Sequence, residues 1–173
     1  PTVTYGFDRT ADFHITDLIT DGDRWKFSVQ RPNGLAAISV SLSLPGRHNV
    51  LNAAAAIAIA TEENVADSSI IKGLSEFSGV GRRFEIHRGV HFGDTCITLV
   101  DDYGHHPTEI KCVIQTARSV WPENRIFMIY QPHRYSRTKD LYDDFVSALS
   151  EVDELLLLEV YSAGESPIDG YDG

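Results

Sequence analysis

Along the first 44 residues the apolar positions fall in short β-branched and aromatic runs, Val3–Phe7, Phe13–Ile19, Trp25–Gln30 and Leu35–Leu44. The turn-forming groups Asp21-Gly22-Asp23 and Pro32-Asn33-Gly34 separate them. Short runs with tight turns between them predict consecutive strands in an antiparallel meander. Pro45-Gly46 then breaks the chain, and His48–Asn64 predicts a helix. Its Ala53–Ala60 centre is apolar on nearly every face, so burial on several sides is expected. Asp67, a residue suited to an N-cap, introduces a second helix over Ser68–Phe77.

Gly79-Val80-Gly81 is the expected linker, because two glycines in three residues permit unusual backbone angles. Beyond it the pattern alternates: strand Ile97–Val100, helix Pro107–Val120, strand Ile126–Tyr130, helix Lys139–Leu149, strand Leu155–Val160. Strands joined by crossover helices are parallel, and short apolar runs fit strands covered on both faces. The fold class is therefore α/β. A Rossmann-like parallel sheet with flanking helices is expected over 82–173, preceded by a β meander plus helices over 1–79. The opening on Pro1 without an initiator Met, and the stop at Gly173 soon after a strand, read as the ends of a piece of something longer.

Composition narrows the partners. A formal net charge of -10 argues against nucleic acid or an anionic membrane. Asp140 to Asp172 contains ten acids and no Lys or Arg, which reads as a solvated acidic surface. Basic residues gather instead at Arg82–Arg88 and Arg134–Lys139, where anionic ligands are expected. Cys96 and Cys112 lack metal spacing and sit in apolar stretches, so buried free thiols in a reducing compartment are expected. No stretch reaches the roughly 18 apolar residues of a membrane span, and the start shows no signal-peptide pattern. A cytoplasmic location follows as the expectation.

Ligands of open α/β sheets bind beyond the carboxyl ends of the strands. Three loops leave such ends here: Asp101–His106, Gln131–Thr138 and Tyr161–Glu165. In the first, Asp102 suits ribose hydroxyls and Tyr103 a base, although this segment also suits capping of the Pro107 helix, His106 above all. The His105-His106 pair lacks the accompanying spacing of a metal site. In the second, Arg134 and Arg137 suit planar recognition of carboxylate or phosphate, with surface ion pairing as the alternative. At the predicted helix start, His48, Asn49 and Asn52 are neighbours, and an Asn amide can read adenine or cap the helix. Arg82 and Arg83 suit phosphate, or serve as ordinary surface arginines.

The segments LPGRHNVLNAAAAIAIA (44–60), GVGRRFE (79–85), LVDDYGHHPTEI (99–110), QPHRYSRT (131–138) and VYSAGE (160–165) resemble, in order, motifs of the Mur ligase family. Within it they resemble the branch that joins L-alanine to UDP-N-acetylmuramate in peptidoglycan synthesis. The resemblance covers some two thirds of the chain. It implies an ATP-dependent ligase working through an acyl phosphate, which the alanine amine attacks. It further implies that His48, Asn49 and Asn52 surround adenine, Arg83 reaches the phosphates, Asp102 holds the ribose and Tyr103 lines the cleft. His105, Arg134 and Arg137 would position alanine and the muramoyl end of the substrate. A murein tripeptide ligase of cell-wall recycling shares the His-His-Pro-Thr loop but not the His133–Thr138 pattern. It is the alternative within the family, and a non-catalytic nucleotide-binding module is the alternative outside it. The family's phosphate loop, G-x-x-x-x-G-K-S/T, does not occur in this chain, and its Mg2+ ligands and UDP-binding domain are expected upstream. The 173-residue piece alone is therefore expected to be inactive.

Overall fold

The computed structural model describes residues 2–22 and 24–172. Pro1, Gly173 and the Asp23 position of the first predicted turn lie outside the described residues. The chain divides into two compact units, Pro1–Asp101 and Asp102–Gly173.

In the first unit β1 (Tyr5–Gly6), β2 (Phe13–Asp21), β3 (Arg24–Gln30) and β4 (Ile38–Leu42) form one sheet in that order. The alternation in the sequence builds its buried face. Phe13 and Ile15, then Trp25, Phe27 and Val29, then Ile38, Val40 and Leu42 lie two residues apart along their strands and are all buried. Trp25 stands opposite Leu42, Phe27 opposite Val40 and Val29 opposite Ile38, so the core pairs match across strands. Between β3 and β4, Asn33 and Gly34 both take positive φ, the backbone that an Asn-Gly pair accommodates at least cost.

The predicted antiparallel meander holds for β2, β3 and β4 but not for β1. That strand has two residues and runs parallel to β2, with Tyr5 opposite Phe13. Local side-chain bonds close the intervening loop in place of a hairpin turn. Asp12 accepts from the Thr4 amide and hydroxyl at 2.8 and 2.7 Å, and Asp8 accepts from those of Thr10 at 2.8 and 2.6 Å.

Helix α1 (Arg47–Glu62) buries Val50, Ala53, Ala54, Ile57 and Ala58. That spacing is one helical face, and it joins the sheet core. Asn52, Ala56 and Ile59 are exposed, so the expectation of burial on several sides is corrected: the alanines form one packing surface. Helix α2 (Asp67–Glu76) corrects the predicted cap. Ala66 is the N-cap residue, and Asp67 is the first helical residue. The Asp67 carboxylate accepts both Arg31 Nη atoms, at 2.8 and 2.7 Å. The Arg31 side chain is only 4% exposed, and a buried guanidinium requires a counter-charge more than this helix requires a side-chain cap. The Arg31 hydrogen bonds hold the Asp67 carboxyl below its ordinary range.

The unit closes with a hairpin, β5 (Glu85–Phe92) and β6 (Thr95–Asp101). The sequence reading placed Ile97–Val100 in a parallel sheet; its hydrogen-bonded partner is instead antiparallel β5. Glu85–Phe92 escaped notice because a bulge between His87 and Val90, with Gly89 at positive φ, interrupts its alternation. Cys96 lies exposed on β6 and Cys112 is half-buried, so both thiols are free but neither is fully buried as expected.

The second unit contains α3 (Pro107–Val120), β7 (Phe127–Tyr130), α4 (Tyr135–Asp140), α5 (Tyr142–Leu149) and β8 (Glu154–Leu157). The parallel pairing of β7 with β8 agrees with the sequence reading. Its core joins Ile110 and Ile114 of α3 to Tyr130 of β7 and to Phe145 and Ala148 of α5. Phe127 and Ile129 of β7 are exposed away from that core, and all four residues of β8 are exposed, so neither strand is covered on both faces. The single predicted helix Lys139–Leu149 is two helices that meet at Leu141, where φ is -118 and ψ is 25. Leu141 packs against the same core as Phe145, which fixes the bend.

Candidate functional site

In the second unit the three predicted loops do converge. Helix α3 starts with a capping box. His106 Nδ1 accepts from the Thr108 amide at 3.2 Å, while Glu109 Oε2 accepts from the amides of His105 and His106 at 2.9 and 3.1 Å. Burial pushes the Glu109 carboxyl up, but these amides outweigh it and leave it below its ordinary value. His106 is thus the cap, which leaves His105 for the site. The His105 ring lies 5.4 Å from Tyr103 and 6.0 Å from His133. Asp102 Oδ1 accepts from the Gly104 amide at 2.6 Å. A Cβ on Gly104 would come 2.8 Å from that same oxygen, so a larger residue there would displace the Asp102 carboxylate.

Backbone bonds lock the ends of β7 and β8 together. The Arg134 amide donates to Tyr161 O and the Tyr161 amide to Pro132 O, both at 2.8 Å. The His133 ring rests 5.2 Å from that of Tyr161. Burial first, then the guanidiniums of Arg137 and Arg134, hold its imidazole below the usual pKa and neutral at pH 7. Arg134 takes a φ of 75°, unusual for a side-chain-bearing residue. Its Nη1 lies 3.7 Å from Glu165. Glu165 also accepts from the Ser136 amide and hydroxyl, at 2.9 and 2.8 Å. Those bonds keep its carboxyl below its ordinary range. Arg137 donates to His133 O at 3.4 Å and lines, with Arg134, a surface cavity of about 360 Å3.

Tyr130 sits at the end of β7, 7% exposed, and its hydroxyl has no hydrogen-bond partner. Burial raises its pKa to about 12 from 10. The fold therefore favours the protonated phenol. This contribution is complete below pH 10 and is lost as pH rises through about 12, on the order of 2 kcal/mol. Tyr130→Phe is expected to abolish that alkaline loss, seen as a smaller drop in denaturation midpoint between pH 9 and 11.5. An equal drop in both proteins would refute it.

The nucleotide residues predicted from the sequence divide between the units, with Asp102 and Tyr103 in the second. In the first, His48 and Asn49 are half-buried at the start of α1, and Asn52 is exposed one turn on. Asn49 Nδ2 donates to Pro45 O at 2.7 Å, so part of its amide closes the turn before the helix. Arg83 lines a cavity of about 450 Å3 that includes Pro45 and Gly79–Gly81, and so meets the loop leading into α1. Sequence reasoning missed Arg47, whose guanidinium lies 3.7 Å over the Phe7 ring, and gave no role to Ser136, Glu165 or Tyr130. The acid after Ala163-Gly164, both at positive φ, was the available signal for Glu165. Among the described residues no group of three or more His, Cys, Asp or Glu side chains is placed to hold a metal ion. No helix is long and apolar enough to cross a membrane.

Two family models match this chain: the Mur ligase middle domain over residues 1–60 and the Mur ligase glutamate ligase domain over 82–172. A solved UDP-N-acetylmuramate-alanine ligase, MurC from Thermotoga maritima, is 35% identical over 92% of this chain, with a TM-score of 0.74. The chain covers 34% of that protein, about a third of its length. The D-alanyl-D-alanyl-adding ligase of Acinetobacter baumannii is 24% identical, with 91% of this chain and 37% of that one covered and a TM-score of 0.62. A murein peptide ligase of Psychrobacter arcticus is also 24% identical, with 90% and 38% covered and a TM-score of 0.55. These last two share the fold.

Proposed function

Because this chain belongs to the Mur ligase family, we propose that it is part of an ATP-dependent ligase that joins L-alanine to UDP-N-acetylmuramate in peptidoglycan synthesis. The observation that carries this reading is the cavity lined by Arg134 and Arg137 beside His133, whose ring meets that of His105, at the strand ends where α/β sheets take their ligands. The amino acid's carboxylate is held by the guanidinium of Arg137, with Arg134 beside it, which turns its amine toward the acceptor carbon. The His133 ring, held below its usual pKa by burial and the two guanidiniums, does not repel the ammonium form of that amine. Higher identity to the alanine-adding enzyme than to the murein peptide ligase supports alanine over tripeptide.

ATP supplies the phosphoryl group that activates the muramoyl carboxylate. By the family resemblance, the residues of this chain offered to the nucleotide are His48, Asn49 and Asn52 for the adenine, Asp102 and Tyr103 for the ribose and the cleft, and Arg83 for the phosphates. The Mg2+ that accompanies ATP in this reading would be held by residues of the upstream part of the family's chain; among the described residues no group of three or more His, Cys, Asp or Glu side chains is placed to hold a metal ion. The domain division we propose keeps Gly79–Gly81 as linker; the glutamate ligase domain match begins at Arg82, whereas the compact units part after Asp101.

The test is amide formation by the natural polypeptide that contains this chain, with ATP, UDP-N-acetylmuramate and either L-alanine or the muropeptide tripeptide. Alanine is the expected acceptor. Preference for the tripeptide would move the reading to cell-wall recycling. Nucleotide binding without any amide product would favour the non-catalytic module.

A further inference from the structure

Helix α1 opens on a cation. Arg47 is its first residue, and no acid occupies the first turn. A positive side chain at that end opposes the helix dipole. Among the described residues no carboxylate lies within ion-pair distance of it. What meets the guanidinium is the face of the Phe7 ring, whose centroid is 3.7 Å from Cζ, well inside the range of a cation–π contact. Phe7 is itself held in place. It packs against the sheet core directly after β1, and the Thr4–Asp12 and Thr10–Asp8 hydrogen bonds close the loop beyond it. The N-cap of α1 is Gly46, which has no side chain to cap the helix, and the turn into α1 rests on Asn49 Nδ2 donating to Pro45 O.

We propose that Phe7 and Arg47 are a positioning pair for the nucleotide: the ring fixes the guanidinium and, through it, the first turn of α1, which carries His48 and Asn49 and leads to Asn52. The inference rests on the reading of those three residues as the base-binding group and adds what holds them in place. Hydrogen bonds to a flat base need side chains held to a fraction of an ångström, which takes supporting contacts behind the groups that touch the ligand. Arg47 does not serve the helix itself, because its charge sits at the disfavoured end. Its contact instead ties the helix start to the loop that leaves β1. This also gives the two-residue strand a purpose, since its pairing with β2 delivers Phe7 beside α1. In the sequence Phe7 merely ends an apolar run and Arg47 follows a turn, so neither signals the other.

The experiment measures ATP affinity by calorimetry on the natural polypeptide that contains this chain, beside KM for L-alanine and thermal unfolding. Arg47→Met and Phe7→Leu keep apolar volume and remove the contact. Each is expected to weaken ATP about two- to fivefold and to leave KM for L-alanine unchanged. The double variant should be no worse than the more affected single, because one contact is lost only once. Phe7→Tyr keeps an aromatic face and should bind ATP as the wild type does. Arg47 is exposed, so Arg47→Met should fold even if Phe7→Leu does not. Unchanged ATP affinity in Arg47→Met, with Asn52→Ala weakening it, would overturn the pair and leave the nucleotide reading intact. Weaker ATP and weaker L-alanine together, tracking a fall in unfolding temperature, would show the pair to be purely structural and overturn it as well. Unchanged affinity in Asn52→Ala too would overturn both.

Discussion

Arg137→Ala is expected to lower use of L-alanine about 10- to 150-fold in the natural polypeptide, because one charge-assisted bond contributes about 1.5–3 kcal/mol. The chain should fold as before. Among the described residues the Arg137 side chain makes one long protein bond, to His133 O at 3.4 Å, and it borders open space. Arg137→Lys should recover little, since an ammonium keeps the charge but loses the planar fork. Steady-state kinetics on alanine, beside thermal unfolding of both proteins, check this. A loss of activity that tracks a loss of stability would show Arg137 to be structural. Arg134 is a poorer probe, because its Nη1 already lies 3.7 Å from Glu165 and its backbone holds a φ of 75°.

The second large effect is on the fold of the first unit. Phe13 is fully buried in β2, at the centre of the sheet core. Phe13→Ala removes most of an aromatic side chain from a site enclosed by strands and by α1, and should cost about 3–5 kcal/mol. Urea unfolding followed by Trp25 fluorescence, with Trp121 changed to Phe, would report it. Trp25 lies in the same core at 4% exposure. A cost below about 1 kcal/mol would mean that the site collapses around the smaller side chain and that the core is less closely packed than its burial indicates.

Elements whose pattern is local were legible. Pro107–Val120 starts with Pro and an N-terminal acid, and α3 has those bounds. β3 and β4 alternate strictly, and the register follows from matching their buried faces. Elements that depend on distant partners were not. Nothing near Tyr5 signals a parallel partner in β2, and nothing near Asp67 shows that Arg31, 36 residues earlier, takes its carboxylate. The break at Leu141 arises because that side chain is pulled into a core built by α3 and β7. In the candidate site, His105, Arg134 and Arg137 stood out as polar residues at strand ends. Glu165 and Tyr130 did not, because one works through Ser136 and Arg134 and the other is distinguished by an unpaired hydroxyl.

By itself the sequence determined the α/β class, the family and the chemistry present at the strand ends, because periodicity and residue type survive without coordinates. Tertiary structure alone decided which charges are already matched. Arg31 and Arg134 meet carboxylates from distant parts of the chain, while Arg47 rests on the Phe7 ring. Electrostatic interaction falls with distance through space, and separation along the chain does not measure it.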